Sequence, residues 1–153
     1  MRKFAHVGLI TTEPKPGEIL DGKYRLLRVL GRGGMGIVFE AENARLGQRV
    51  AIKCLLPEVM DHADSVLRFE REARLVASLR SRHVVRIFDV SETTGGVPYM
   101  VMELLAGHDL QAELESRGAL PATEIVDWVL QACSGIAEAH AAGIVHRDLK
   151  PSN

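Results

Sequence analysis

The chain has 153 residues, 46% of them hydrophobic, and its 19 basic and 20 acidic residues nearly cancel. This length and apolar content are sufficient for a folded domain and exclude a globally disordered chain. The near-neutral charge argues against a nucleic-acid binder that depends on a strong basic field.

The sequence gives no sign of a disulfide scaffold, a zinc site, a transmembrane helix or a signal peptide. Cys54 and Cys133 share no short spacing, which argues against a disulfide scaffold or a zinc site, so each is expected to be a small packing residue. No apolar run nears the roughly 20 residues of a transmembrane helix. The start, MRKFAHVGLI, is too short and too interrupted for a signal peptide. We expect a cytoplasmic protein without a membrane segment in this chain, and an anchor elsewhere in a longer protein stays open.

The first part of the chain changes from a leader to a set of strands. Residues 1–22 are predicted to form a flexible leader, because Pro14, Pro16 and Gly17 interrupt regular structure. Alternating apolar residues then predict three strands joined by glycine-containing turns, as in an antiparallel meander. These strands cover residues 24–30, 37–42 and 49–55.

The stretch GRGGMG, residues 31–36, has the pattern G-x-G-x-x-G in Gly31, Gly33 and Gly36. In a dinucleotide-binding fold a helix should follow these glycines. A β-branched, alternating stretch follows instead, with Val38 two residues after the last glycine. This context disfavours a dehydrogenase and favours a hairpin whose backbone amides cover phosphates. An ordinary glycine-rich turn remains the plain alternative.

Lys53 ends the apolar run VAIK, and a strand lysine usually points to solvent. The next segment, residues 64–80, is predicted to be a helix with Phe69 and Val76 on one face. Glu72 falls on that same face, and a carboxylate among apolar residues needs a partner. Lys53 is the candidate partner, and an arginine on the helix rim is the alternative.

The second half of the chain is predicted to become helical after two further strands, residues 83–90 and 97–104. Gly107 marks a bend, and Asp109 is placed to cap a short helix that ends at Gly118. The following helix covers residues 122–142, and its buried face is predicted to contain Ile125, Val129, Ile136 and His140.

The last eight residues, HRDLKPSN, bring an acid, a cation and an amide together. Asp148 could accept a proton from a hydroxyl, Lys150 could hold a phosphate, and Asn153 could offer an amide oxygen to a metal ion. This combination suits phosphoryl transfer, in which positioning and charge neutralisation dominate catalysis.

Four motifs stand in order: GRGGMGIV, VAIK, FEREARLV and HRDLKPSN. Together they resemble the signature of the eukaryotic-type (Hanks-type) protein kinases, and the GGMG form looks most like the bacterial serine/threonine branch. The resemblance implies an α+β fold with a five-stranded antiparallel N-lobe sheet and one helix. It divides the domain at residues 23–153 into an N-lobe with hinge, 23–105, and the start of a helical C-lobe, 106–153.

The resemblance also implies roles for individual residues. Lys53, held by Glu72, would bind ATP phosphates beneath the loop of Gly31, Gly33 and Gly36. Asp148 would orient the acceptor hydroxyl and take its proton, Lys150 would neutralise the transferred phosphate, and Asn153 would ligate Mg²⁺. The residues implied to surround the adenosine are Val38, Ala51, Met102 (as gatekeeper), Glu103, Leu105 and Asp109. The D-L-K-P form resembles kinases that modify protein serine or threonine, and Arg147 resembles the arginine that pairs with a phosphorylated activation loop.

The pattern departs from the family where the chain ends. D-F-G, the activation loop and A-P-E are absent from these 153 residues, so we expect them alone not to phosphorylate protein at a useful rate. We also expect an exposed apolar patch on the helix 122–142, with poor solubility as its consequence. A non-catalytic nucleotide- or partner-binding fragment is the main alternative, and a small-molecule phosphotransferase of the same fold is a weaker one.

Overall fold

The computed structural model describes residues 13–152, so the segment considered as a signal peptide and Asn153 lie outside the described residues. The strands are β1 (Ile19–Leu20), β2 (Tyr24–Arg32), β3 (Gly36–Asn43), β4 (Arg49–Leu55), β5 (Ile87–Glu92) and β6 (Pro98–Glu103). The helices are α1 (Pro57–Met60), α2 (Ala63–Ala77), α3 (Leu110–Arg117) and α4 (Ala122–Ala141).

The chain divides into two compact units. The first unit contains the described residues up to Arg74 together with Arg86–Leu104, and the second contains Leu75–Val85 and the residues from Leu105 onward. The predicted division after residue 105 lies one residue from the change of unit at Leu104. Residues 75–85, which we predicted to belong with the first part, cluster with the second.

The sheet of the first unit is antiparallel throughout, in the order β1-β2-β3-β4-β6-β5. It has six strands rather than the five predicted, because β1 lies in the stretch that we predicted to be irregular. A tight turn explains the extra strand: Asp21 and Gly22 both have positive φ, and the Lys23 N–H donates to the Leu20 carbonyl over 2.9 Å. The leader prediction is therefore wrong for Ile19–Leu20.

Two predicted elements end at different residues from those expected. Strand 83–90 is Ile87–Glu92 instead, because a turn at Ser81, which accepts from Val84 N at 3.2 Å, occupies the preceding residues. Helix α2 ends at Ala77 rather than at residue 80, because Ser78 N bonds to the Leu75 carbonyl three residues back. Such i→i+3 bonds close the last turn of a helix.

Alternation along the strands builds the core of the first unit. In β3, Ile37, Phe39 and Ala41 are buried at every second position, and they pack with buried residues of the neighbouring strands. Burial of a side chain such as Ile52 contributes about 1.5–3 kcal/mol. A second cluster joins α2 to the sheet through Leu55, Phe69, Ala73 and Met100.

The cysteines have different environments. Cys54 is fully buried in this core, and burial raises the pKa of its thiol to about 12. A thiol with so high a pKa is unreactive near neutral pH. Cys133 is exposed on α4, so the prediction that it packs internally is wrong.

In the second unit, α4 packs through small residues. Gly135 and Ala139 are its buried residues, and an added Cβ at Gly135 would lie 3.1 Å from the His83 carbonyl oxygen. His140 is exposed, so its predicted place on the buried face is wrong, and Ile125 and Val129 are exposed as well. The exposed residues Ile125 and Val129 form the apolar surface that we expected for this helix. Among the described residues, no helix combines the length and apolar character needed to cross a bilayer.

Candidate active site

The glycine-rich hairpin joins β2 to β3 and is closed by backbone contacts. Gly33 N donates to the Gly36 carbonyl over 2.9 Å, and the Met35 carbonyl accepts from Leu56 N at 3.3 Å. An added Cβ at Gly36 would lie 2.6 Å from the Cys54 carbonyl oxygen, which real Cβ atoms do not tolerate. Gly31 and Gly33 have open space at that position. Close approach to β4 therefore requires glycine at position 36, and sterics do not require it at 31 or 33.

Lys53 and Glu72 form an ion pair in the first unit, with Nζ 3.7 Å from Oε1. The Glu72 side chain is 53% exposed, so the prediction that it is a carboxylate within an apolar stripe is wrong. Lys53 is 27% exposed, and its ammonium lies 5.9 Å from the centre of the Phe69 ring. A pair exposed to this degree stabilises the fold by about 0–1 kcal/mol. The pair therefore contributes little to the stability of the fold, and its predicted role is to position the lysine.

The alternative partner predicted for Glu72 was an arginine on the rim of this helix, and one such arginine, Arg74, pairs with Glu70 instead. Glu70 accepts a hydrogen bond from Arg74 over 2.8 Å, one turn along α2. This (i, i+4) pair leaves the Glu72 carboxylate to Lys53.

The residues predicted to contact the adenine share one surface of the sheet. Val38 is the cross-strand partner of Lys53, and Ala51 is the partner of Met102. Ala51 and Lys53 are two residues apart in β4, so their side chains project from the same face. Ala51 is small and buried.

Three predicted residues lie at or after the end of β6. Glu103 donates its backbone N–H to the Arg86 carbonyl over 2.9 Å, so this amide already has a partner. Leu105 and Asp109 belong to the second unit, where Leu105 is exposed. The Asp109 carboxylate accepts from Ala112 N at 2.8 Å and caps α3, which confirms the predicted N-cap. Its role toward a ribose stays a prediction.

The loop after α4 carries the predicted catalytic residues. Lys150 Nζ lies 2.9 Å from Asp148 Oδ2, and the Asp148 side chain is 66% exposed. Gln111 N on α3 donates to the Pro151 carbonyl over 3.1 Å and anchors the loop. Arg147 adopts φ +65°, an uncommon conformation for a residue with a side chain, which marks a sharp turn immediately before Asp148. Asn153 lies outside the described residues.

One buried acid was missed by sequence reasoning. Glu40 of β3 lies opposite Arg28 of β2 and accepts from the guanidinium groups of both Arg28 and Arg49. The hydrogen bond from Arg49 is the largest cause that holds the pKa of Glu40 below its usual range, and Arg28 adds to it. The available signal was an acidic strand residue with an arginine directly opposite on one neighbouring strand, Arg28, and another placed diagonally on the other, Arg49.

The described residues contain no group of three histidine, cysteine, aspartate or glutamate side chains close enough to hold a metal ion.

Comparison with known proteins places these residues in a family. A family model described as Protein kinase domain matches residues 24–153. The probable serine/threonine-protein kinase pknA2 of Bifidobacterium longum is 38% identical over 145 residues, which cover 93% of this chain and 19% of that protein. The serine/threonine-protein kinase PknA of Mycobacterium tuberculosis is 40% identical over 144 residues, which cover 92% of this chain and 33% of that protein.

Solved structures give the same result for the fold. The crystal structure of the Mycobacterium tuberculosis PknI kinase domain matches with a TM-score of 0.76 at 27% sequence identity. The match covers 92% of this chain and 57% of that one. The chain thus spans a third or less of these curated relatives and somewhat more than half of the solved kinase domain.

Proposed function

The chain belongs to the bacterial serine/threonine branch of the protein kinase family, and from this premise we propose that its residues transfer the γ-phosphate of ATP to serine or threonine hydroxyls of proteins. The observation that carries the proposal is the Lys53–Glu72 pair, which lies in the same unit as the glycine-rich hairpin. The second unit supplies Asp148 and Lys150 on one loop.

Most of the residues assigned to nucleotide binding belong to the first unit, and Leu105 and Asp109 belong to the second. Lys53 donates to the phosphates while Glu72 holds its ammonium in place, and the hairpin that contains Gly31, Gly33 and Gly36 covers them. The adenine lies against Val38, Ala51 and Met102. The backbone of Glu103 and Leu105 meets the adenine edge, and Asp109 contacts the ribose.

The transfer step falls to Asp148. Its carboxylate accepts a hydrogen bond from the substrate hydroxyl, whose oxygen attacks the γ-phosphorus while the bond to the bridging oxygen of ADP breaks. The hydroxyl proton passes to Asp148 as the new ester forms. Lys150, which pairs with Asp148 in the structure, neutralises charge on the phosphoryl group in transit.

Asn153 is the residue of this chain that would ligate magnesium, as an amide oxygen donor. Magnesium, when bound, neutralises phosphate charge.

The nucleotide assignment is tested by the affinity of the 153-residue chain for ATP, measured by calorimetry. Lys53→Met is expected to weaken binding at least about tenfold, because a charge-assisted hydrogen bond to phosphate is lost. Lys23→Met is the matched control, since Lys23 pairs with Asp21 at 3.2 Å on the same sheet and has no proposed role. Equal losses in the two variants, or unchanged binding by Lys53→Met, would refute the assignment.

A further inference from the structure

A buried phenylalanine of α2 lies beside the Lys53 ammonium. Phe69 is 4% exposed, and Lys53 Nζ lies over its ring, 5.9 Å from the ring centre. An ammonium within about 6 Å of an aromatic ring face is attracted by the negative charge density of that face. Phe69 and Glu72 are three residues apart on α2, so the two groups that approach the ammonium are neighbours on the surface of one helix.

The ring is fixed by residues that flank Lys53. Phe69 belongs to one buried cluster with Leu55 and Met100, and all four residues lie in the first unit. Leu55 is two residues after Lys53 in β4, and Met100 is the cross-strand partner of Lys53 on β6. Residues in these two relations project from the same face of a sheet. The ring therefore packs on the face that carries Lys53, at a place defined by contacts on two strands.

The pair with Glu72 is by itself a weak restraint on the ammonium. Its Nζ to Oε1 distance of 3.7 Å is longer than a hydrogen bond, and the Glu72 side chain is 53% exposed. A lysine ammonium also sits on a flexible four-carbon stem. A buried ring is held in one place by its packing, so Phe69 offers the ammonium a rigid surface that the exposed carboxylate does not.

We propose that Phe69 is a second positioning residue for Lys53, and that its ring face, together with Glu72, holds the ammonium where it meets the phosphates of ATP. This inference rests on the proposed function in one respect, namely that Lys53 binds those phosphates. An ammonium has three N–H donors, and attraction to a ring face does not require a lone-pair acceptor. The donors of Lys53 therefore stay available to phosphate oxygens while its position is restrained.

The size of the effect follows from the strength of such contacts. The Lys53 side chain is 27% exposed, so its ammonium is partly hydrated. Loss of the attraction of a ring for an ammonium in this setting changes a binding constant about 2- to 5-fold. Phe69 therefore adjusts the affinity for ATP, and Lys53 itself remains the larger contributor.

Fluorination of the ring tests the inference, because ring fluorines withdraw negative charge from the face and leave the shape nearly unchanged. A trifluorinated phenylalanine at position 69 is expected to weaken ATP binding about 2- to 5-fold, with smaller losses for one or two fluorines. Adenosine binding should be unchanged. Calorimetry on the 153-residue chain measures both affinities. The same replacement at Phe39 is the matched control, since that ring is fully buried in the other core cluster of the first unit.

A second substitution separates the action on Lys53 from other effects of the ring. In Lys53→Met, fluorination at position 69 should no longer change ATP affinity, because no ammonium is left to be attracted. Unchanged ATP affinity across the fluorinated series would overturn the inference. An equal loss from fluorination of Phe39, a loss that persists in Lys53→Met, or an equal loss of adenosine affinity would overturn it as well.

A readout without nucleotide distinguishes this inference from the proposed function. Protons over a ring face are shielded, so Phe69→Leu should move the proton NMR resonances of the Lys53 ε-methylene group downfield. Phe88→Leu is the control, because Phe88 is an exposed residue on β5 of the same sheet and should leave these resonances in place. A downfield shift in a chain that binds no ATP would refute the proposed function and retain the positioning of Lys53 by Phe69. No shift in Phe69→Leu would overturn the inference, whatever the nucleotide binding.

Discussion

Asp148→Asn is expected to lower the rate of phosphoryl transfer by about 10²- to 10⁴-fold, the usual contribution of a positioned general base. Asparagine keeps the size and the hydrogen-bonding reach of the side chain but cannot accept the hydroxyl proton. The fold should persist, because the Asp148 side chain is largely exposed. The measurement is transfer of labelled γ-phosphate from ATP to protein, made on the shortest form of the protein that shows transfer.

Asp127→Asn is the control for this substitution, since Asp127 is an exposed acid on α4 of the same unit. It should leave transfer within about twofold, and both variants should bind ATP as the unaltered protein does. Near-full transfer by Asp148→Asn would remove Asp148 from the role of base. A parallel loss of ATP binding would indicate a structural defect instead.

Gly36→Ala is expected to lower the free energy of unfolding by about 1–3 kcal/mol, the usual cost of forcing an extra methyl into a packed site. The clash is with a backbone atom, the Cys54 carbonyl oxygen at 2.6 Å, which no side-chain rotation relieves. Relief must come from displacement of the hairpin away from β4, so ATP affinity should fall as well. Denaturant unfolding of the 153-residue chain measures the first effect, and calorimetry measures the second.

Gly34→Ala provides the matched control two residues earlier in the hairpin. An added Cβ at Gly34 meets nothing within 4 Å, and the residue does not have a positive φ. Its stability should therefore be unchanged or slightly higher, because alanine restricts the unfolded chain. Equal destabilisation by the two substitutions would show that the contact between Gly36 and Cys54 does not govern the hairpin.

The local pattern of apolar residues and glycines was sufficient to predict the meander of β2, β3 and β4. Alternating apolar residues specify one buried face, and the glycines specify the turn between them. The Asp109 cap was predictable for the same reason, because capping involves residues only three apart. Two of the four motifs, GRGGMGIV and VAIK, lie on the strands and the turn of this meander.

Other features depend on contacts between distant residues, which pattern does not reveal. Strand β1 exists because Ile19 and Leu20 find partners on β2. The exposure of Glu72 depends on how α2 is rotated against the sheet, which helical spacing alone does not determine. The hydrogen bonds that Arg32 donates to Glu13 and that Arg49 donates to Glu40 join charges that only the folded sheet brings together.

The central claim is that this chain binds ATP through the glycine-rich hairpin and Lys53. Its most direct test is a map of backbone amide NMR shifts in the 153-residue chain as ATP is added. If this claim is correct, the largest amide shifts are expected at residues 31–38, at 51–53 and at 103–105. Saturable binding whose shifts fall elsewhere, or no shifts at millimolar ATP in a folded chain, would contradict it.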